Sequence, residues 1–352
     1  MNICFTGTGH FLPEKVQSNE DFLAHEFYTE DGERFSNSNQ EIIEKFKAIT
    51  GIQNRRYIDP AMLTSDMGYE ASKKAIADAD LDQEQIDYII FAHNFGDVRH
   101  GETQTDMLPS LASRVKHRLG IKNPKCICYD MIFGCPGWIE AIIQAKAFIR
   151  SNMAKNCLVI GAEALSRVVD HNDRDSMIFA DGAGACIVSA TEENRGILAH
   201  SSATLANDEA FYLFFGKGNC AAPGDDTRYI KMLGRKVYEL AVVEVPKAMA
   251  ECLDEAGVSI QELKKVFLHQ ANEKMDEAMV KRLYRHYKTE APEHVMPMNI
   301  QEVGNNSVAT VPILLDMVRR GAYQEHQLSK GDVILLASVG AGMNLNCIVY
   351  RY

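Results

Sequence analysis

The sequence predicts an α/β fold built from two similar halves, whose two sheets enclose a shared pair of helices. Predicted strands alternate with predicted helices along the chain, which is typical of α/β proteins with parallel sheets. An internal repeat appears when the sequence is shifted by 177 residues, since Ala71 then falls on Ala248 and Ile89–Phe91 on Val266–Leu268. The segment Ile139–Ile149 is apolar on nearly every face, which predicts a helix between the two sheets.

Apolar periodicity predicts five strands and three helices in the first half, residues 1–190, together with one polar loop. Residues 20–45 are polar and charge-rich, which predicts a surface excursion, and Pro109 favours a helix start. Asp181–Gly184 is glycine-rich and is expected to be a tight turn. The predicted strands are Asn2–Gly9, Ile86–Ala92, Cys126–Ile132, Asn156–Gly161 and Ala185–Ala190, and the predicted helices are Ser65–Ala79, Leu108–Leu119 and Ile139–Ile149, with a polar loop at Phe95–Thr105.

The second half, residues 191–352, repeats this alternation. A long loop that contains Phe211, Tyr212, Phe214 and Phe215 is expected after the first strand. The predicted strands are Gly196–Leu205, Lys265–Leu268, Val333–Ser338 and Leu345–Tyr350, and the predicted helices are Val237–Ala256, Glu273–Tyr287 and Val308–Arg320.

Composition excludes several classes of protein. The chain has 352 residues, of which 46% are hydrophobic and 24% charged, as in ordinary globular proteins. The net charge of −11 argues against binding to nucleic acid or to anionic membranes. Nine cysteines without CxxC spacing indicate reduced thiols, and no secretory signal is visible at the N-terminus, so a cytoplasmic protein is expected. No apolar run approaches the roughly 20 residues of a membrane helix.

The segment Phe133–Trp138 is the first candidate for chemistry. Gly134 and Gly137 permit a tight strand-to-helix turn, and Pro136 suits the first position of a helix. Cys135 would then lie at a helix N-terminus, where the helix dipole favours the thiolate, the nucleophilic form of cysteine. The alternative is a small buried residue at a turn, because free cysteines are often buried.

Partners for this cysteine are expected from the second half. His269 follows a predicted buried strand, and the equivalent position in the first half is Ala92, so the fold does not demand a histidine there. Asn305 lies in the turn Gly304–Ser307 at a helix start, and Gly340–Gly342 separates the last two strands. Each has a simpler alternative. For His269 it is a core histidine whose hydrogen bonds are all made within the protein. For Asn305 it is an ordinary turn residue, and for Gly340–Gly342 it is a hairpin turn.

Together these motifs resemble the β-ketoacyl-acyl-carrier-protein synthase III family of the thiolase superfamily. The similarity runs end to end and includes the cysteine turn, His269–Asn272, the Gly-Asn turn followed by Ser307–Pro312, Asp181–Ala185 and the terminal Gly-x-Gly. The resemblance implies a five-layered αβαβα fold, a homodimer, and a catalytic set of Cys135, His269 and Asn305. It also implies an oxyanion hole formed by the backbone N–H groups of Cys135 and Ala341.

The resemblance implies a decarboxylating condensation. An acyl thioester would acylate Cys135, and a malonyl thioester on acyl carrier protein would lose carbon dioxide, with His269 and Asn305 stabilising the enolate that attacks the acyl group. No metal or redox cofactor is expected; acyl-coenzyme A or acyl-carrier-protein thioesters would be substrates. The alternatives are a specialist that transfers acyl groups or condenses two long acyl thioesters, and a non-catalytic partner subunit.

Two departures from the family bear on the acyl donor. The family often places a tryptophan and an arginine where this chain has Lys45 and Ile49, so the expected sandwich around the adenine of coenzyme A is missing. Leu108 falls where a bulky residue of the partner subunit usually shapes the acyl pocket, after a loop at 95–107 that looks longer than usual. Altered acyl-chain selection is therefore expected.

A basic helix face is the predicted docking surface for acyl carrier protein. Lys274, Lys281, Arg282 and Arg285 fall on one face of the helix that begins after His269, in an otherwise acidic chain. Asn272 would lie on the path of the phosphopantetheine arm toward Cys135. The alternative is a solvated charged face without a partner.

Overall fold

The computed structural model describes all 352 residues and consists of two sheets, three small two-stranded ribbons and eight α-helices. The strands are β1 Asn2–Phe11, β2 Lys15–Ser18, β3 Asn54–Tyr57, β4 Tyr88–Ala92, β5 Asp97–Val98, β6 Thr105–Asp106, β7 Ile127–Met131, β8 Asn156–Ala164, β9 Asp181–Thr191, β10 Gly196–Thr204, β11 Leu213–Lys217, β12 Arg228–Met232, β13 Leu263–Leu268, β14 Val333–Gly340 and β15 Asn344–Arg351. The helices are α1 Asn39–Thr50, α2 Thr64–Asp78, α3 Leu111–Leu119, α4 Gly137–Arg150, α5 Gly234–Ala256, α6 Glu273–His286, α7 Ile300–Val303 and α8 Thr310–Arg319.

Both sheets are mixed, so the expectation of parallel sheets is wrong. The first has five strands in the order β1-β9-β8-β4-β7, and the second has four in the order β10-β15-β14-β13. Only β4 with β7, β4 with β8, and β13 with β14 are parallel. The chain passes from β8 to β9 and from β14 to β15 without a crossover α-helix, and such direct connections produce antiparallel neighbours.

The layers run helix, sheet, helix, sheet, helix, as the αβαβα prediction requires. Helices α2 and α3 cover the outer face of the first sheet, α4 and α8 lie between the sheets, and α5 and α6 cover the second sheet. The middle layer is the shared core, in which the rings of Phe5 and Tyr350 stack at 4.6 Å beside Trp138 and Phe267. The apolar segment around Ile139–Ile149 does form this interior helix, so that prediction is confirmed.

The internal repeat also has a structural counterpart. Strands β4 and β13, which the repeat aligns, are parallel strands preceded by long outer helices α2 and α5. The first sheet uses strands from residues 2–191 and the second uses strands from residues 196–351. Because both sheets bury the same middle helices, the division into domains 1–190 and 191–352 stays a prediction.

Three local predictions are wrong. The excursion at residues 20–45 contains the start of α1, and Phe22, Phe27 and Ile42 form a small core of their own. Asp181–Gly184 belongs to the inner strand β9, where the glycines make room for helix α8. A Cβ on Gly184 would lie 2.5 Å from the ring of Pro312 in α8. The aromatic loop after Leu205 contains the hairpin β11–β12.

Helix boundaries shift by a few residues for reasons of capping. The helix predicted from Leu108 begins at Leu111, because Ser110 is the N-cap and its hydroxyl accepts the Ser113 N–H at 3.2 Å. Helix α5 begins three residues before the predicted Val237.

No helix of the protein has the length and apolar character needed to cross a membrane.

Candidate active site

Cys135 lies in the turn between β7 and α4, directly before Pro136 at the start of the interior helix. Gly134 has a φ of +66°, and a Cβ there would lie 2.7 Å from the backbone nitrogen of Ala341. A Cβ on Gly340 would lie 2.4 Å from the backbone nitrogen of Cys135. The turn that holds Cys135 is therefore in close backbone contact with residues 340 and 341, and this contact requires glycine at positions 134 and 340.

The electrostatics of Cys135 differ from the expectation. Burial raises the pKa of the thiol to about 11, and the nearby Glu163 carboxylate acts in the same direction, while a hydrogen bond from Ser307 lowers it. The prediction of a position at a helix start is confirmed, but the expected lowering of the pKa is wrong because burial outweighs it. Cys135 is therefore a thiol, not a thiolate, at neutral pH.

His269 follows the last residue of β13, and its backbone N–H donates to the carbonyl of Ala337 at 2.9 Å. Burial lowers the pKa of the imidazole to about 4, although a hydrogen bond with the Ser307 backbone acts the other way. The ring is neutral at pH 7, and its Nδ1 has no hydrogen-bond partner within the protein. A neutral imidazole carries one N–H donor and one acceptor nitrogen.

Asn305 is fixed by the turn before α8. Gly304 reaches it with a φ of +68°, and the backbone of Asn305 pairs with strand-like segment 178–180 through bonds of 3.0 and 2.8 Å. Its Oδ1 accepts the Ser307 N–H at 2.8 Å. Because that bond occupies the carbonyl oxygen, the amide NH₂ is the group left for a ligand.

Ser307 brings the three predicted residues together. Its hydroxyl donates to the Cys135 sulfur at 3.5 Å, its backbone contacts His269, and its N–H bonds to Asn305. The sequence analysis placed Ser307 in the turn but gave it no role. Its φ of +52°, unusual for a residue other than glycine, is a structural sign of a constrained site.

Glu163 and Asn94 are two further site residues that the sequence analysis missed. Glu163 lies near the end of β8 and is fully buried, and burial raises the pKa of its carboxyl to about 7 although hydrogen bonds from Asn94 act the other way. Asn94 donates to it from both the backbone, at 3.0 Å, and the side chain, at 2.8 Å. Both residues lie at the carboxyl ends of adjacent parallel strands, where functional groups of α/β sheets gather.

A cavity of about 880 Å³ leads to Asn305 from the protein surface. Asn272 lines it and also caps α6 by accepting the Met275 N–H at 3.1 Å. Lys45 and Ile49 of α1 line the same cavity, so the two positions that depart from the family pattern do face it. Cationic residues from other segments also line it, namely Arg174, Arg235 and Lys236.

The other predicted binding residues are not among those that contact Cys135 or Ser307. Leu108 is 88% exposed in the single chain. Lys274, Lys281 and Arg282 are exposed on α6; Lys281 pairs with Glu277 at 3.2 Å, and Arg282 donates to the carbonyl of Val242 at 3.0 Å. The structure thus gathers Cys135, His269, Asn305 and the Ala341 backbone at one point and leaves these residues at the periphery.

Comparison with known proteins agrees with this geometry. The family profile of 3-oxoacyl-[acyl-carrier-protein (ACP)] synthase III matches residues 129–206, and the profile of its C-terminal part matches residues 253–352. The chain is 34% identical to the beta-ketoacyl-[acyl-carrier-protein] synthase III of Caldanaerobacter subterraneus subsp. tengcongensis, over 98% of this chain and 96% of the relative. It is 31% identical to synthase III 1 of Bacillus anthracis, over 100% and 99% of the two chains.

A solved structure extends the likeness to three dimensions. The crystal structure of 3-oxoacyl-[acyl-carrier-protein] synthase III from Aquifex aeolicus superposes with a TM-score of 0.81 at 32% identity, covering 99% of this chain and 100% of that one. Profiles, full-length relatives and fold agree. The chain belongs to the 3-oxoacyl-[acyl-carrier-protein] synthase III family.

Proposed function

We propose that this acyltransferase condenses an acyl thioester with malonyl-acyl-carrier protein, using Cys135, His269 and Asn305. The observation that carries the proposal is the meeting of these three residues around Ser307, with Asn305 exposed to the large cavity. A thiol, a neutral imidazole and a free carboxamide NH₂ are the groups that acyl transfer and enolate stabilisation require.

In the first half-reaction, the Cys135 sulfur attacks the carbonyl carbon of the acyl thioester. The oxygen that becomes negative accepts hydrogen bonds from the backbone N–H groups of Cys135 and Ala341. The bond to the leaving thiol then breaks, and that thiol departs with the proton that Cys135 has lost. The close approach of residues 340 and 341 to the nucleophile turn supports this oxyanion hole.

In the second half-reaction, malonyl thioester enters the same cavity. His269 and Asn305 donate hydrogen bonds to its thioester carbonyl, so that the electrons of the breaking bond to the carboxylate are held in an enolate as carbon dioxide leaves. The enolate carbon attacks the carbonyl carbon of the acyl-enzyme, the bond to the Cys135 sulfur breaks, and the β-ketoacyl thioester is released. The Cys135 thiolate that leaves takes up a proton from solvent, which restores the resting thiol. The buried, neutral state of His269 suits a donor to an enolate. The proposed steps use no metal or redox cofactor.

The test is intact-protein mass spectrometry with a panel of acyl thioesters. The wild-type chain should gain one acyl mass, Cys135→Ser should gain none, and the gain should vanish when malonyl-acyl-carrier protein is added. Cys126→Ser is the matched control, since that buried cysteine lies in the same sheet region. Acylation of Cys135→Ser on the same peptide would refute the nucleophile, and acyl-enzyme that persists with malonyl carrier would favour the acyl-transferring specialist.

The nature of the acyl donor follows from the mouth of the cavity. Lys45 and Ile49 line it, and neither side chain offers the flat ring that would stack on adenine. We therefore propose that this chain accepts acyl-carrier-protein donors at least as well as acyl-coenzyme A. Initial rates with the same acyl group on each carrier test this, and a preference for coenzyme A of tenfold or more would contradict it.

The proposed docking surface for the carrier protein is the basic face of α6, formed by Lys274, Lys281, Arg282 and Arg285. The helix begins beside Asn272 at the cavity, and these four cations are exposed. Charges at the rim of an interface act mainly on association rate and salt dependence. Lys281→Glu should raise the apparent KM for the carrier substrate and flatten its salt dependence. Turnover of a small thioester should stay unchanged.

The matched control is Lys330→Glu, an equally charged change at a Lys that is paired with Glu193 elsewhere on the surface. Lys281 is preferred to Arg282 because Arg282 also bonds to α5, so its loss would disturb helix packing. Equal impairment of carrier-bound and small thioesters, or equal effects of the two variants, would exclude α6 as the docking surface.

We also propose a cytoplasmic homodimer. Strand β7 is an unpaired edge of the first sheet, and Ile127 and Ile132 beside it are 47% and 63% exposed, which favours pairing with a second copy. Leu108, exposed in one chain, would then be covered by the partner and reach its acyl pocket. Light scattering of Ile127→Lys tests this: the variant should be monomeric, and an unchanged mass would refute it.

All nine cysteines are free thiols, as suits a reducing compartment.

A further inference from the structure

A second hydrogen-bonded route reaches Cys135, on residues separate from His269 and Asn305. The Asn94 Nδ2 lies 2.8 Å from Glu163 Oε2 and 3.2 Å from the Ser307 hydroxyl oxygen. Ser307 in turn lies 3.5 Å from the Cys135 sulfur. The chain of contacts therefore runs from a fully buried carboxyl, through an amide and a hydroxyl, to the nucleophile.

The direction of each bond follows from the chemistry of the groups. The Glu163 oxygens accept from the backbone N–H and from the side chain of Asn94, which identifies the Asn94 atom near them as the NH₂ nitrogen. The second hydrogen of that NH₂ points to the Ser307 oxygen. Since the hydroxyl oxygen is then an acceptor from Asn94, its own proton is directed to the remaining neighbour, the Cys135 sulfur.

We propose that Asn94, held by Glu163, is a positioning residue that fixes the Ser307 hydroxyl as a hydrogen-bond donor to the Cys135 sulfur. A donor at sulfur stabilises the thiolate, so this route offsets part of the cost of ionising a buried thiol. The inference rests on the proposed role of Cys135 as nucleophile. It assigns a task to Asn94, Glu163 and Ser307 that the catalytic set does not include.

The charged and titratable groups around Glu163 are few. His93 faces it from the end of β4, and Cys135 faces it from the start of α4. His93 is itself held, because its Nδ1 accepts the Gly96 N–H at 3.0 Å and its Nε2 donates to Asp130 at 3.1 Å. With His93 held in this way, Asn94 is the residue that connects Glu163 to Ser307.

The experiment measures how fast iodoacetamide alkylates Cys135 between pH 6 and 9, by mass spectrometry of its peptide. Only thiolate reacts, so below the pKa of the thiol the rate reports the thiolate fraction. Ser307→Ala should lower the rate about three- to tenfold at every pH, the effect of one hydrogen bond. Asn94→Ala should lower it in the same direction, and the double variant should be no slower than Ser307→Ala, because Asn94 acts through Ser307.

Controls separate positioning from structural damage. Ser72→Ala removes another buried hydroxyl, which bonds to the Gly68 carbonyl in α2, and should leave the alkylation rate unchanged. Asn94→Asp keeps the shape but replaces the donor with an acceptor, so the Ser307 proton should turn away from sulfur and the rate should again fall. This variant also serves if Asn94→Ala does not fold.

Two results would overturn the proposal. The first is a wild-type alkylation rate in the folded Asn94 variants. The second is a double variant whose rate falls by the product of the factors measured for Asn94→Ala and Ser307→Ala. Alkylation needs no thioester, carrier or malonyl group. Acylation of Cys135→Ser would therefore contradict the proposed function. The alkylation rates would still test the hydrogen-bonded route independently.

Discussion

The buried imidazole of His269 should make the fold sensitive to acid in a way that one substitution removes. The pKa of this ring is about 4 in the folded protein because burial disfavours its charged form, against an ordinary value of 6.5. As the pH falls below 6.5, the ring binds a proton in the unfolded chain but stays unprotonated in the folded chain. Stability from the neutral ring is thus present above pH 6.5 and is lost progressively toward pH 4.

The magnitude follows from the two pKa values. Their difference corresponds to about 3 kcal/mol of unfolding free energy, most of which should be lost by pH 4.5. The assay is urea unfolding at pH 7.5 and 4.5, followed by fluorescence of Trp138, the single tryptophan, which is buried in α4. His269→Asn cannot titrate, so it should lose about 2 to 3 kcal/mol less than wild type between the two pH values.

His286→Asn is the matched control, because that histidine lies exposed at the end of α6. Its loss of stability between the two pH values should equal that of the wild type. If His269→Asn also loses stability in parallel with wild type, the ring is not held neutral by burial, and its assignment as an uncharged donor to the enolate fails with it.

Three further results are expected. His269→Ala should still form acyl-enzyme but lose malonyl decarboxylation by about 10²- to 10³-fold, as for an oxyanion donor; equal loss of both half-reactions would make His269 chiefly the base for Cys135. Gly340→Ala should abolish acylation, since its Cβ would lie 2.4 Å from the Cys135 nitrogen, and full activity would contradict that contact. Burial acts against ionisation of Asp316, but hydrogen bonds from His10, Arg320 and Thr8 hold the pKa of its carboxyl at about 2. Asp316→Asn should therefore lower the free energy of unfolding by about 2 kcal/mol above pH 4. The difference from wild type should shrink toward pH 2, as measured by urea unfolding.

Local sequence signals indicated the three residues proposed as catalytic, but they did not indicate the surroundings of those residues. Cys135, His269 and Asn305 each lie at a junction between a strand or turn and a helix, and such junctions are visible in a short window. The bonds from Asn94 to Glu163 and to Ser307 join residues 69 and 213 positions apart, and no local periodicity encodes them. The pKa of Cys135 likewise depends on burial, which opposes the local effect of the helix start.

Errors in the fold have a similar origin. Apolar alternation predicts that a strand exists but carries no information about its direction, so the antiparallel pairing of β8 with β9 was missed. Glycines at 182 and 184 are typical of turns, yet here they let α8 pack closely on a strand. In both cases the missing information is the identity of a neighbour distant in the sequence.

The contact of Gly340 and Ala341 with the nucleophile turn has a consequence for how substrates enter. Many enzymes with two halves open and close by a hinge, but here such a rotation would pull residues 340–341 away from Cys135. It would also split the core that Phe5, Trp138 and Tyr350 fill between the sheets. We therefore expect substrate exchange to depend on local movement of side chains at the cavity mouth and not on a hinge between the two sheets.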